Sequence, residues 1–273
     1  MAIQERIPLP APRSRLMGKV YLIGAGPGDP ELLTLKAARL LAGAEIVLHD
    51  ALVSNEVLAM TSPAAELINV GKRAGHKLLT QDEINALLVS YAKSRESVIR
   101  LKGGDPSIFG RAGEEIEALR KAGVDYEIVP GVTAALGAAA VAGISLTDRR
   151  IASQILLSTF SRRVDGSAMD WGSVSSTTTL VLYMPGADYA EVSERLLEGG
   201  LPADLPCVIV SNATGSRQQV RWSSVGQLSA EERLPAPALL IVGRVASRDV
   251  QGLGESFWGS DQKDRVSQQP SVI

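Results

Sequence analysis

The sequence predicts an α/β protein of two domains, the first built on an open, mostly parallel sheet with helices on both faces. Three observations predict this. From Lys19 to Gly131, apolar β-branched runs alternate with helical patterns in five strand–loop–helix units. The loops after those strands carry the unusual motifs GAGPGD, HD, GKRAG, KGGDP and PGVTAA, at the C-terminal strand edge where such sheets bind ligands. The 273 residues, enough for two α/β domains or one large one, are 45% apolar but only 4% aromatic, so Leu, Ile, Val and Ala must do the packing.

The elements follow in order. Lys19–Ile23 is continuously apolar, as a strand buried on both faces must be. A helix over Thr34–Leu41 puts Leu33, Ala37, Leu40 and Leu41 to one side. Strands are expected at Glu45–Leu48, Glu66–Val70, Ser97–Leu101 and Tyr126–Val129. Thr80 and Glu83 have the spacing of a capping box, and Ile84, Leu87, Leu88 and Tyr91 repeat at helical intervals behind them. Arg111–Lys121 reads as a further helix, and PGVTAALGAAAVAG as a small-residue helix at the domain junction. In the second half, strands are expected at Ser153–Ser158, Thr179–Tyr183, Cys207–Ser211 and Leu239–Val242, with a helix over Ala187–Leu197. The expected boundaries are a flexible lead over 1–17, domains over 18–131 and 132–248, and a flexible tail over 249–273.

Bulk properties narrow the function. A net charge of -2 gives no global attraction to nucleic acid or anionic lipid. No apolar run is long enough to span a membrane, and the first residues lack a signal-peptide core. Cys207 is the single cysteine and sits in an apolar run, so it reads as a small buried hydrophobe in a reducing, cytoplasmic setting. The two histidines, His49 and His76, have no ligand spacing, and no metal is expected.

The glycine loop is not a dinucleotide fingerprint. Gly24, Gly26 and Gly28 are followed by Asp29 where a third glycine would stand, and Pro27 removes a backbone donor. No Gly-Lys-Ser/Thr ending makes it a P-loop. It fits either a close backbone approach to a ligand or a tight turn. Gly103-Gly104 in KGGDP offers the same two readings, with Asp105 able to accept a hydrogen bond. Asp50, at the end of a strand, reads as a base or as a cap for ALVSNEVL; Lys72 reads locally as a solvated lysine.

Taken together, VYLIGAGPGDPELLTLKAA, DALVS, VGKRAGH, EINALL, VIRLKGGDPSIFGRAGEEIEAL, VPGVTAALGAAAVAGISLTDR and PAPALLIVGRV resemble the uroporphyrinogen-III C-methyltransferases of the tetrapyrrole methylase superfamily. The resemblance runs from about Gly18 to Val245. It implies two α/β domains, the second with a mixed sheet, with the active site and S-adenosylmethionine in a cleft between them, in a homodimer. It implies that the donor meets Pro27, Gly103, Gly104, Asp105, Ile108, Thr133, Ala134, Met184 and Ala213. It implies acid–base roles for Asp50 and Lys72. The implied reaction methylates C2 and C7 of uroporphyrinogen III to give precorrin-2, for sirohaem or cobalamin.

A tetrapyrrole carrying eight carboxylates calls for cations, and Arg73, Arg100, Arg111 and Arg149 are the candidates to bind it. Arg100 has Glu114 or Glu115 as alternative partners. The second half departs from the family pattern. Asp148 and Ser161 stand where histidines are usual, Pro185 follows Tyr183-Met184 where glycine is usual, and Ala213 replaces the glycine of Asn-Gly-Thr. A later precorrin or cobalt-precorrin methyltransferase and a non-catalytic tetrapyrrole-binding protein are the alternatives. Neither nucleic acid nor membrane is an expected partner.

Overall fold

The computed structural model describes residues 17–71, 79–160, 171–175, 177–186 and 188–247. The expected lead and tail, together with Lys72, Arg73, His76 and Ser161, lie outside the described residues. Of the described chain, residues up to Ala138 form one compact unit with Asn212–Gln218, and Ala139–Ser211 with Gln219 onward form the other. The division falls at Ala138, whereas the sequence reading put it at 131, and it returns one loop of the second half to the first unit.

In the first unit the chain runs β1 (Lys19–Gly24), α1 (Leu35–Ala42), β2 (Ile46–His49), α2 (Asn55–Leu58), β3 (Glu66–Asn69), α3 (Gln81–Ala92), β4 (Ser97–Lys102), α4 (Ala112–Lys121) and β5 (Tyr126–Val129). The strands form one parallel sheet in the order β3-β2-β4-β1-β5. Two cores account for the uninterrupted apolar strands. On one face Leu22, Ile46, Leu48 and Val98 pack with Ile84, Leu87, Leu88 and Leu119 of α3 and α4. On the other, Ile23, Val47, Ile99 and Leu101 pack with Ala37, Leu41 and Val57 of α1 and α2. The helices after β1 and β4, which are neighbours, therefore leave to opposite faces. This is a topological switch point, where open α/β sheets form ligand crevices.

Caps set the helix starts. Thr80 Oγ1 accepts from Glu83 N at 3.2 Å while Glu83 Oε2 accepts from Thr80 N at 2.5 Å, the expected capping box. Thr34 and Asp188 cap α1 and α6 (Tyr189–Glu198) in the same manner, accepting from Ala37 N and Ala190 N. Arg111 is not helical as expected: its φ of 56° puts it outside the helix as the residue before α4. Helix α5 (Ala134–Ala142) contains the division between the units.

The second unit holds a mixed sheet of β6 (Gln154–Thr159), β7 (Thr178–Tyr183), β8 (Pro206–Ser211), β9 (Gln219–Ser224) and β10 (Ala238–Val242), ordered β6-β7-β10-β8-β9. Only β6 and β7 are parallel. Val192 and Leu196 of α6 pack against Leu180, Leu182, Ile209 and Leu240. Cys207 belongs to that core, fully buried, and burial pushes its thiol pKa up to about 12. Strand β9 was not expected, because QVRWSS is a largely polar edge strand without a buried face. Among the described residues no helix is long and apolar enough to cross a membrane.

Candidate active site

The tips of β1 and β4 are clasped by backbone. Ala25 N donates to Lys102 O at 2.7 Å, Gly26 N to Gly104 O at 3.1 Å, and Gly104 N to Gly26 O at 2.8 Å. Gly26 and Gly104 have φ of 72° and 64°, a region that glycine occupies without a Cβ penalty. A Cβ on Gly24 would lie 2.6 Å from Gly104 O, and one on Gly131 only 2.3 Å from it. The loops after β1, β4 and β5 thus meet main chain to main chain at the switch point.

Asp105 ties two of these loops together. Its Oδ2 accepts from Gly131 N at 3.0 Å, and its Oδ1 accepts from Ser107 N at 2.8 Å and from the Ser107 hydroxyl. Burial works to raise its pKa, but the hydrogen bonds from Ser107 and Gly131 prevail and hold it below the ordinary carboxylate value. The β1 loop is latched at its other side. Ser54 Oγ donates to Gly28 O at 2.7 Å, and Asp29 N donates to Thr214 Oγ1 at 3.1 Å. Helix α5 meets the loop closely, since a Cβ on Gly137 would stand 2.7 Å from Pro27 Cβ.

Most of the residues read as donor-binding lie in this unit: Pro27, Gly103, Gly104, Asp105, Ile108, Thr133, Ala134 and Ala213. The Cβ position of Gly104 is 3.5 Å from Ala134 N and 3.8 Å from Thr133 Cα, and that of Gly28 is 3.5 Å from Ala213 O. Gly103 is half-buried, and a Cβ there would meet only Leu52 Cβ, at 3.5 Å. Met184 belongs to the second unit. It follows β7, is 53% exposed and has φ 48°, while its carbonyl accepts from Gly186 N at 2.6 Å. A left-handed backbone costs a non-glycine residue about 1–2 kcal/mol.

Asp50 stands just past the tip of β2, its N–H donating to Leu101 O at 3.1 Å. It does not cap the following helix; Ser54 does, accepting from Val57 N at 3.2 Å. His49, buried, has Nδ1 3.1 Å from Asp50 O. The Asp50 carboxylate is paired with Arg100 Nη2. Arg100, 2% exposed, also donates from Nη1 to Leu48 O at 3.3 Å and Leu101 O at 3.1 Å, and from Nε to Glu115 Oε1 at 2.9 Å. Lys102 Nζ donates to both oxygens of Glu115, at 2.9 and 3.0 Å. Burial would lower the Arg100 pKa, but Asp50 and Glu115 outweigh it, and the guanidinium stays charged. Burial, and then the charge of Arg100, press the Lys102 pKa below its ordinary value.

This network forms part of the wall of a cavity of about 270 Å³, which Phe109, Gly110, Arg111, Leu52, Gly71 and Gln81 also line. Asp50 is its accessible end, with a side chain 29% exposed. The arrangement can hold an ionised carboxylate in one orientation at an apolar-rimmed hollow, which suits proton transfer. A larger hollow of about 640 Å³ in the second unit runs along α6 and carries Asp188, Glu191, Glu194 and Glu198. Four carboxylates make it a poor receptor for a polyanion. Among the described residues no group of three or more His, Cys, Asp or Glu could hold a metal ion.

The arginines read as carboxylate ligands differ in their surroundings. Arg100 is buried and its guanidinium is engaged by protein groups. Arg111 is exposed and paired with Glu114, at 2.7 and 2.6 Å. Arg149 is exposed beside the pair of Arg150 and Asp148. Arg73 and Lys72 lie outside the described residues. Sequence reasoning offered Glu115 as one of two possible partners of Arg100 but missed its pairing with Lys102, and it missed Ser54 and Thr214 as latches. The signal for Glu115 was available, since it falls between Ala112 and Leu119 on the apolar stripe of α4, while Arg100 and Lys102 share one face of a central strand.

A family model described as Tetrapyrrole (Corrin/Porphyrin) Methylases matches residues 19–229. A uroporphyrinogen-III C-methyltransferase of Paracoccus denitrificans (strain Pd 1222) is 48% identical over 236 residues, covering 85% of this chain and 82% of the relative. A siroheme synthase of Actinobacillus pleuropneumoniae serotype 7 (strain AP76) is 45% identical over 232 residues, covering 84% of this chain but only 48% of the relative. The chain thus spans about half the length of that synthase. The solved structure of a uroporphyrin-III C-methyl transferase from Thermus thermophilus complexed with S-adenyl homocysteine superposes with a TM-score of 0.73 at 38% identity, covering 84% of this chain and 98% of that one.

Proposed function

This chain belongs to the tetrapyrrole (corrin/porphyrin) methylases, and from that membership we propose that it methylates uroporphyrinogen III at C2 and C7 with S-adenosylmethionine, giving precorrin-2 by way of precorrin-1. The observation that carries the reading is Asp50, the accessible end of a buried charge network at the cavity wall beside the clasped glycine loops.

The residues present fit the donor. Gly103 and Gly104 leave the main chain uncovered by side chains, so a ligand can approach the peptide groups closely. When bound, S-adenosylmethionine supplies an electrophilic methyl on a sulfonium. Pro27, Gly103, Gly104, Ile108, Thr133, Ala134, Ala213 and Met184 are the residues that would hold it. Asp105 acts by fixing the Gly103–Gly104 peptide against the β5 loop, because Ser107 and Gly131 already occupy its oxygens.

A pyrrole carbon is nucleophilic enough to take a methyl group directly, so the chain's first task is alignment, which can remove much of the barrier. Its second is to accept the proton that the methylated ring must lose. Asp50 takes that proton at a carboxylate oxygen, and Lys72 serves as the proton donor. Arg73, Arg111 and Arg149 are the residues that would meet substrate carboxylates, while Arg100 orients Asp50. The chain works as a homodimer, and light scattering giving the mass of a single chain would refute that.

The test is anaerobic incubation with uroporphyrinogen III and S-adenosylmethionine, with products read by mass spectrometry. Singly and then doubly methylated products are expected. Turnover of a later precorrin instead, or donor binding without turnover, overturns the assignment. Asp50→Asn is expected to lower kcat by about 100-fold or more; unchanged turnover removes Asp50 from the role.

A further inference from the structure

We infer that Glu115, a residue without contact to the reacting groups, is a positioning residue for the reaction: through Arg100 it fixes the direction of the Asp50 carboxylate. This rests on the reading of Asp50 as the base.

The geometry is a chain with one open end. Glu115 is fully buried on α4, and its Oε1 accepts from Arg100 Nε at 2.9 Å. Nη2 of the same guanidinium meets Asp50. A guanidinium is planar and rigid, so a contact at Nε sets the direction in which Nη2 points. The backbone carbonyls of Leu48 and Leu101 take Nη1 and complete the clamp, leaving the guanidinium held on three sides. Of the four charged groups in this network only Asp50 has a substantially exposed side chain; those of Arg100, Lys102 and Glu115 are 3%, 2% and 0% exposed.

Lys102 makes this more than a single ion pair. Its ammonium takes both oxygens of Glu115, so the carboxylate cannot rotate away from Arg100 without breaking a second contact. Gln81 adds a weaker donor to the same Oε1, at 3.4 Å. Two cations and two carboxylates close the charge balance of the cluster. Taking up a proton on Asp50 leaves one net positive charge behind it. Glu115 is then the anion that keeps Arg100 from following the neutralised group toward solvent.

The competing explanation is that Glu115 only compensates buried charge. The two separate in a variant that removes a cation and an anion together. In Glu115→Gln, both melting temperature and kcat should fall, kcat by about 100-fold, with the KM for the methyl donor little changed. In Glu115→Leu combined with Lys102→Met, the melting temperature should recover while kcat remains low, because Arg100 then lacks its Nε partner. Recovery of kcat together with melting temperature overturns the proposal.

The coupling to Asp50 is read by adding Glu115→Gln to the Asp50→Asn variant. No further loss of kcat supports action through Asp50, and a full multiplicative loss overturns it. If Asp50→Asn alone leaves turnover unaltered, the base reading fails and takes this inference with it. If Asp50→Asn is inactive while the Glu115 variants keep kcat, the inference alone fails.

Discussion

The backbone N–H of Gly131 donates to Oδ2 of Asp105 at 3.0 Å, joining the loop after β5 to the loop after β4. The other oxygen of the same carboxylate is taken by Ser107. The residue that the family resemblance implies as a donor contact thus also ties two loops of the first unit together.

Asp105→Asn replaces one acceptor oxygen by an amide donor, which must face either Gly131 N–H or Ser107. A loss of about 1–3 kcal/mol is expected in urea unfolding at neutral pH, with weaker donor binding by calorimetry. The Asp105 pKa is depressed in the fold, so its contribution is present above the unfolded carboxylate pKa and disappears as pH falls through the folded one. The gap between wild type and variant should therefore close in acid. A pH-independent gap would show that the charge is not involved.

Two glycines should respond in opposite directions to alanine. At Gly131 a Cβ would lie 2.3 Å from Gly104 O, so Gly131→Ala should destabilise by about 1–3 kcal/mol or more and abolish donor binding. At Gly113, inside α4, a Cβ meets nothing within 4 Å, and Gly113→Ala should stabilise by about 0.5–1 kcal/mol. Thermal denaturation of both variants checks the pair, and equal effects would contradict the packing described.

Asp148, which stands where the family resemblance leads one to expect histidine, is held by Arg150. The Arg150 side chain and backbone N–H lower its pKa to about 2. The interaction it reports is present above the ordinary value of 3.8 and lost only as pH falls through about 2. Carbon-detected NMR titration should find Asp148 still ionised at pH 3. Arg150→Ala should return its titration toward 3.8, and an unmoved midpoint would remove Arg150 as the cause.

Cys207 should be inert in the folded protein. It is fully buried in β8 and its thiol pKa is pushed up to about 12. Ellman's reagent should label it only at the rate of unfolding, so labelling should accelerate in urea in step with loss of structure. Prompt labelling under native conditions would contradict this burial.

Much of the architecture was legible because its signals are local. The apolar run of β1, the Thr80–Glu83 capping box and the glycine loops are each written in near neighbours along the chain. A helix or turn in ALVSNEVL was weighed with Asp50 as its cap, whereas Ser54 caps α2, and the polar edge strand β9 escaped notice because it has no apolar period long enough to register. At the candidate site, residue type and position left Asp50 open as a base or a cap and KGGDP open as a ligand loop or a turn, and only the family resemblance favoured the site reading. The roles of their neighbours were not legible. Arg100 read either as a carboxylate ligand or as a partner of Glu114 or Glu115, because nothing in VIRLK states that its strand lies in the middle of a sheet.

By itself, then, the sequence determined an α/β chain with glycine-rich main chain at its strand ends, and a motif set that identifies its family. Tertiary structure alone decided that β4 inserts between β2 and β1. That insertion sets Arg100 beside Asp50, fifty positions earlier in the chain, and under α4 with Glu115. The reason is physical: strand order follows from which faces the helices bury and from loop closure over the whole chain. A run of residues specifies its own period and caps, whereas the partner of a buried charge is chosen by the sheet.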